Sequence, residues 1–147
     1  MDRQEVDHVP VGFWYHFEGE DALGENCVQA HLNYVRDVDT DLMKIMCDSY
    51  FNYPVPEEIR KASDWWKLRP LGETHPFILD QVERARRIVQ EIGHEMPIFY
   101  NVFAPFSSLR FGAGDERIMQ DIREDPLAVM HALDVVAQDN ALLFFFV

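Results

Sequence analysis

Three segments whose side chains alternate between two faces, separated by stretches of helical period, constrain this chain more than any other feature. In VPVGFWYHF (9–17), Val11, Phe13, Tyr15 and Phe17 fall on one face, and Gly12, Trp14 and His16 on the other. In LMKIMCD (42–48), Met43, Ile45 and Cys47 oppose Lys44, Met46 and Asp48, and in PIFYNVF (97–103) Ile98, Tyr100 and Val102 oppose Phe99, Asn101 and Phe103. Each segment has one apolar side, and a second that is apolar apart from one or two polar groups. That pattern suits a sheet covered by helices on one face and closed on itself on the other.

Helical periodicity fills the connections. Leu23, Cys27, Ala30, Tyr34 and Val38 recur at three- and four-residue steps, as do Ile78, Val82, Ala85, Val89 and Ile92. Asp80–Arg84 and Glu83–Arg87 fall at i,i+4 on the expected wet side of the second helix, Gly93 follows as a stop, and Pro97 opens the next strand. Asp125-Pro126 is an N-cap followed by proline at the first helical position, with Leu127, Met130, Leu133 and Val136 or Ala137 as the apolar stripe. An insertion over 50–76 holds four of the eight prolines and the pair Trp65-Trp66, and a short helix over Glu57–Trp65 is expected in it. The order β-α-β-(insert)-α-β-(loop)-α predicts an α/β fold with parallel strands and right-handed crossovers.

A length of 147 residues with 48% apolar content predicts one domain over 1–147. Twenty-six acidic residues against 13 basic ones give a net charge of −13, which opposes the phosphate neutralisation that nucleic-acid binding needs. Arg84, Arg86 and Arg87 are interleaved with Glu83 and Glu91, so they form no basic patch. The acidic, polar start MDRQEVDHVP does not resemble a signal peptide, no uninterrupted apolar run reaches the ~20 residues of a membrane span, and a cytoplasmic protein is expected. Cys27 and Cys47, without a CxxC pair, read as reduced thiols. The ending NALLFFFV would be an aggregation liability if exposed, so it either docks in a groove or marks a truncated product, and truncation is the expectation.

Several motifs have bland explanations. Cys27 and His31, four apart, could share a metal, but a buried thiol beside a boundary histidine explains the pair better, and no metal site is expected. FGAGDER (111–117) lacks the third glycine of a dinucleotide fingerprint and reads as a turn after the third strand. Arg110 beside it is a candidate contact for an anionic ligand. Lys44 on an inward face needs a partner, which Asp41 or Asp48 could supply. Asp48 and His16 stand at equivalent ends of two expected strands, where a barrel carries its active site; a turn-capping aspartate and a packing histidine are the ordinary alternatives.

DHVPVGFWYHF, DTDLMKIMCDSY, PIFYNVFAPFSSL and EDPLAVMHALDVV resemble, in order and spacing, the first half of uroporphyrinogen decarboxylase-like proteins, from about Asp7 to Leu143. The strongest matches are the run Val102-Phe103-Ala104-Pro105-Phe106 and the helix start Asp125-Pro126. The resemblance implies the first three to four βα units of a (β/α)8 TIM barrel, a fold that needs about 250 residues when complete. It implies cofactor-free decarboxylation of a tetrapyrrole or related carboxylate in porphyrin biosynthesis, with Asp48 as the catalytic anchor for pyrrole N–H groups and His16, Asn101 and Arg110 as substrate contacts. The protonated ring serves as its own electron sink, so no cofactor is implied. The family's arginine-rich stretch corresponds here to Tyr15-His16-Phe17-Glu18-Gly19-Glu20-Asp21, with no arginine and three acids, so uroporphyrinogen itself is disfavoured. Two alternatives follow: a corrinoid-linked, zinc-dependent methyltransferase whose metal ligands would lie beyond these residues, or a non-catalytic fragment. An open sheet face would then be covered by a homo-oligomer or by a missing C-terminal half.

Overall fold

Of the three alternating segments, two pair. The structure, a computed structural model, describes residues 7–146, in which β1 (Met43–Ile45) and β2 (Ile98–Tyr100) run parallel, with Met43 opposite Ile98 and Ile45 opposite Tyr100. Single bonds extend the ladder at both ends, from the Met43 amide to the Pro97 carbonyl (3.0 Å) and from the Asn101 amide to the Ile45 carbonyl (2.9 Å). The helix α1 (Gly24–Val38) precedes β1, and α2 (Pro76–Ile92) lies in the crossover between the strands. His75 caps α2 by accepting from the Phe77 amide, and Pro76 occupies its first turn, where a missing N–H costs nothing.

The segment 9–17 does not join the sheet. Pro10 has no N–H to donate, and the groups of Val11 are taken by other partners: its carbonyl accepts from the Asp41 amide (2.9 Å) and the Thr40 hydroxyl (2.8 Å), and its amide donates to the Asp41 carboxylate (2.7 Å). The result is an extended strap that runs alongside β1, bonded to Asp41 before the strand and to Asp48 after it. Gly12 presses on Leu42, where a Cβ would collide with the leucine side chain. Alternation here records two-sidedness without ladder pairing. Tyr15 and Phe17 meet Tyr34 and His31 of α1, with ring centroids 5.9 and 4.6 Å apart, while Val9, Phe13, Trp14 and much of Tyr15 stay exposed.

After β2 the chain enters α3 (Pro105–Ala113) and α4 (Asp115–Glu124), then α5 (Pro126–Phe146). The expected turn at 111–117 is instead a junction between helices, with Gly114 at φ 92° taking the bend. The described residues are 58% helical around a single strand pair, which overturns the expected partial (β/α)8 TIM barrel of three to four βα units. A barrel strand must ladder to a neighbour on each side. Here the strap bonds through side chains and isolated contacts, so only one parallel pair forms.

The long helix α5 turns part of the expected stripe inward, with Val136 buried and Leu133 packed against the core. Leu127 and Met130 are exposed, whereas Ala128, Val129, Ala132, Val135 and Val136 are buried against Trp65, Leu68, Leu109 and Ile118. Small side chains let the helix approach the insertion closely, while Leu127 and Met130 are left outside. The insertion's helical piece is a 3-10 turn at Ala62–Lys67, later than expected. Buried carboxylates tie it down: Asp139 accepts from the Tyr53 hydroxyl (2.6 Å) and the Leu71 and Gly72 amides, and Asp121 accepts from the Trp65 indole (2.7 Å). A second cluster joins Val28, Leu32 and Val35 of α1 to Met43 and Ile45 and to Ala85, Ile88 and Ile92 of α2.

The apolar tail continues α5, and Leu143 packs on Ile78 and Val82, while Phe144 is exposed. The tail's remaining side chains, from Phe145 on, lie outside the described residues. Pro126–Phe144 is long and apolar enough to cross a membrane by length and composition, with a mean hydropathy of 1.2, and 44% of it is buried inside this fold. Its buried face serves as core here.

Candidate functional site

At the end of β1 the chain runs through Met46 and Cys47 to Asp48, then turns at Ser49, whose φ of 66° reverses the direction. The Tyr50 amide closes that turn on the Cys47 carbonyl (2.9 Å). Asp48 is thereby aimed at the strap. Its Oδ1 lies 2.8 Å from Nδ1 of His16, and its Oδ2 accepts the Phe17 amide at 3.0 Å. A carboxylate oxygen accepts, so Nδ1 of His16 carries the proton of this bond. The Asp48 side chain is 7% exposed and that of His16 65%, so a buried carboxylate holds an accessible imidazole.

The pair lines a cleft of about 290 Å³, together with Cys47, Phe51, Phe103 and Phe111. Phe111 meets Phe51 and Phe103 edge-on, with centroids 5.8 and 5.5 Å apart. The walls are therefore apolar and aromatic, and the polar function is concentrated at one end. Such a cleft suits a flat ring presented to one acid–base group.

The other expected site residues are distributed unevenly. Asn101 donates from Nδ2 to Sγ of Cys47 (3.3 Å), so it stands behind the cleft wall. Arg110 pairs with Asp115 (3.0 Å) and lies over the Phe111 ring, 4.6 Å from its centroid, where it shapes the cleft's outer side. Lys44 takes neither Asp41 nor Asp48; its ammonium sits 4.4 Å from the centroid of the Trp14 ring, a cation–π contact on the strap. Cys27 and His31 are internal. Nδ1 of His31 donates to the Cys27 carbonyl (2.8 Å), Nε2 accepts the Met46 amide (3.4 Å), and burial pulls its pKa down to about 4. Both cysteines are free and buried, and burial pushes both thiols up. Among the described residues no group of three metal-ligating side chains comes together.

The sequence reading missed Arg84. It assigned this residue to the wet side of α2, yet Arg84 is 2% exposed and reaches under the end of β1. Its guanidinium donates to the Asp48 carbonyl (3.4 Å), the Cys27 thiol (3.4 Å) and the Tyr100 hydroxyl (3.2 Å), and lies over the Tyr50 ring. Tyr100 passes the connection to Gln81, another buried polar residue of α2, by donating to its Oε1 (2.7 Å). Neither protein-family models, curated proteins nor solved structures give a match to this chain.

Proposed function

We propose that this chain carries an acid–base site of the uroporphyrinogen decarboxylase-like kind, acting without a cofactor on a small carboxylate attached to a pyrrole-like ring. The observation that carries the reading is the His16–Asp48 pair lining an aromatic cleft. The aromatic walls of the cleft at Phe51, Phe103 and Phe111 suit a flat ring carrying an acid side chain. Clustered acids at Glu18, Glu20 and Asp21 favour a substrate with few carboxylates.

The pair changes the role that the family resemblance implies for Asp48. Both carboxylate oxygens are engaged, by His16 and by the Phe17 amide, so Asp48 acts through the imidazole. In the proposed reaction His16, protonated, gives its Nε2 proton to a ring carbon. The bond to the carboxylate carbon then breaks, its electron pair flows into the protonated ring, and CO2 leaves. A proton from water then adds at the exocyclic carbon, leaving hydroxide, and the ring proton returns to His16, so the net change replaces CO2 by H. Asp48 stabilises the imidazolium while it is charged.

The test is release of labelled CO2 from a carboxyl-labelled pyrrole-3-acetate and from uroporphyrinogen, under anaerobic conditions, by the full chain. Release that disappears in Asp48→Asn and His16→Ala supports the reading. No release from either compound, or release unchanged in both variants, overturns it.

A further inference from the structure

Arg84 is a buried cation whose hydrogen bonds all go to uncharged acceptors: the carbonyls of Ala22 and Asp48, the Cys27 thiol and the Tyr100 hydroxyl. Its Nε is buried without any partner. Among the described residues no carboxylate stands within ion-pair distance of it. Such an arrangement is a poor way to stabilise a fold, because an apolar residue of similar volume would avoid the desolvation of a guanidinium. The guanidinium is, however, well placed. The residue whose carbonyl it holds is Asp48, and the carboxylate of that residue, 7% exposed, bonds to His16 and Phe17 of the strap.

We infer that Arg84 is the positioning residue of the His16–Asp48 pair: it fixes the backbone of Asp48 through its carbonyl. This rests on the reading of that pair as the working site. The guanidinium is itself held by groups from several directions. Tyr100 of β2 braces it and is braced in turn by Gln81, whose amide donates to the Phe77 carbonyl (2.6 Å). Tyr50 lies beneath it, 4.9 Å from ring centroid to guanidinium carbon. The long side chain cannot swing without breaking these contacts, so the Asp48 backbone is held in one place. The preorganisation required of an acid–base pair is thus supplied from α2, far away in sequence.

The experiment uses the full chain and two nuclear magnetic resonance signals: the ring nitrogens of His16, which report its tautomer, and hydrogen exchange of the Phe17 amide bound to Asp48. In Arg84→Met the Phe17 amide is expected to exchange about tenfold faster, and the His16 ring to lose its single-tautomer signature, while α5 amides at Ala128–Val136 keep their wild-type protection. Arg84→Lys, which keeps the charge, should restore both signals in part. Should Arg84→Met fold with Phe17 and His16 unchanged while Asp48→Asn alters both, the inference fails and the reading of the pair survives. Should neither Arg84 variant fold, the reciprocal measurement decides. In Asp48→Asn, with Arg84 intact, the Arg84 Nε–H resonance is expected to shift and exchange faster, and an unmoved resonance overturns the inference. Absent CO2 release with these couplings intact would count against the decarboxylation chemistry alone.

Discussion

Acid should cost this fold stability through His31 before the carboxylates of ordinary or lowered pKa titrate. The ring is 2% exposed, donates to the Cys27 carbonyl and accepts from the Met46 amide, and burial lowers its pKa from 6.5 to about 4. Between those two values the unfolded chain binds a proton that the folded chain refuses. Stability therefore falls as pH falls, by roughly 3 kcal/mol across the whole window. That is a large share of the ~5–15 kcal/mol that holds a domain together. His8 cannot imitate the effect. The hydrogen bond that it donates to Asp41 raises its pKa, so its contribution is present below 6.5 and fades as pH rises. Asp64, held down to about 2 by Lys67, loses its contribution only as pH drops from 3.8 towards 2. Urea denaturation at pH 7, 6, 5 and 4.5, followed by tryptophan fluorescence, would compare the wild type with His31→Gln. The amide can donate and accept as the ring does, but it does not titrate. The wild type should lose stability across this range while the variant stays nearly flat; an equal loss in both would refute the assignment to His31.

Three further outcomes are expected. Tyr53→Phe leaves the fully buried Asp139 with only its two backbone donors and should cost about 1–3 kcal/mol in the same denaturation assay. Cys27 and Cys47, buried and with thiols pushed up, should be inert to a disulfide exchange reagent at neutral pH and react only on unfolding; rapid labelling of the native chain would contradict their placement. Gly12→Val should drive the strap off Leu42, so proteolysis within 9–17 should accelerate while α5 amide protection is retained, and an unchanged cleavage rate would show that the strap does not depend on this contact.

Helical period placed α2 and its end at Gly93 well, because Ile78, Val82, Ala85 and Ile92 do face the core. It could not reveal that Gln81 and Arg84 share that face. A buried polar residue is indistinguishable from a solvated one until its partners are known, and those partners, Tyr100 and the Asp48 carbonyl, come from remote parts of the chain. Alternation in 9–17 was equally ambiguous, since a strap with one side packed on α1 has the same two-residue period as a laddered strand. In α5 the large residues drew attention to Leu127 and Met130, whereas close helix packing selected alanines and valines. The site was partly legible. Asp48 and His16 were both placed at segment ends, but that they bond to each other depends on the register of the strap along β1.

A nuclear magnetic resonance titration of the wild-type chain with pyrrole-3-acetate tests most directly whether this cleft receives a ligand. The account predicts saturable shifts of His16 and of the Phe51, Phe103 and Phe111 rings, abolished in Asp48→Asn. Shifts confined to other surfaces, or none at millimolar probe, would contradict it.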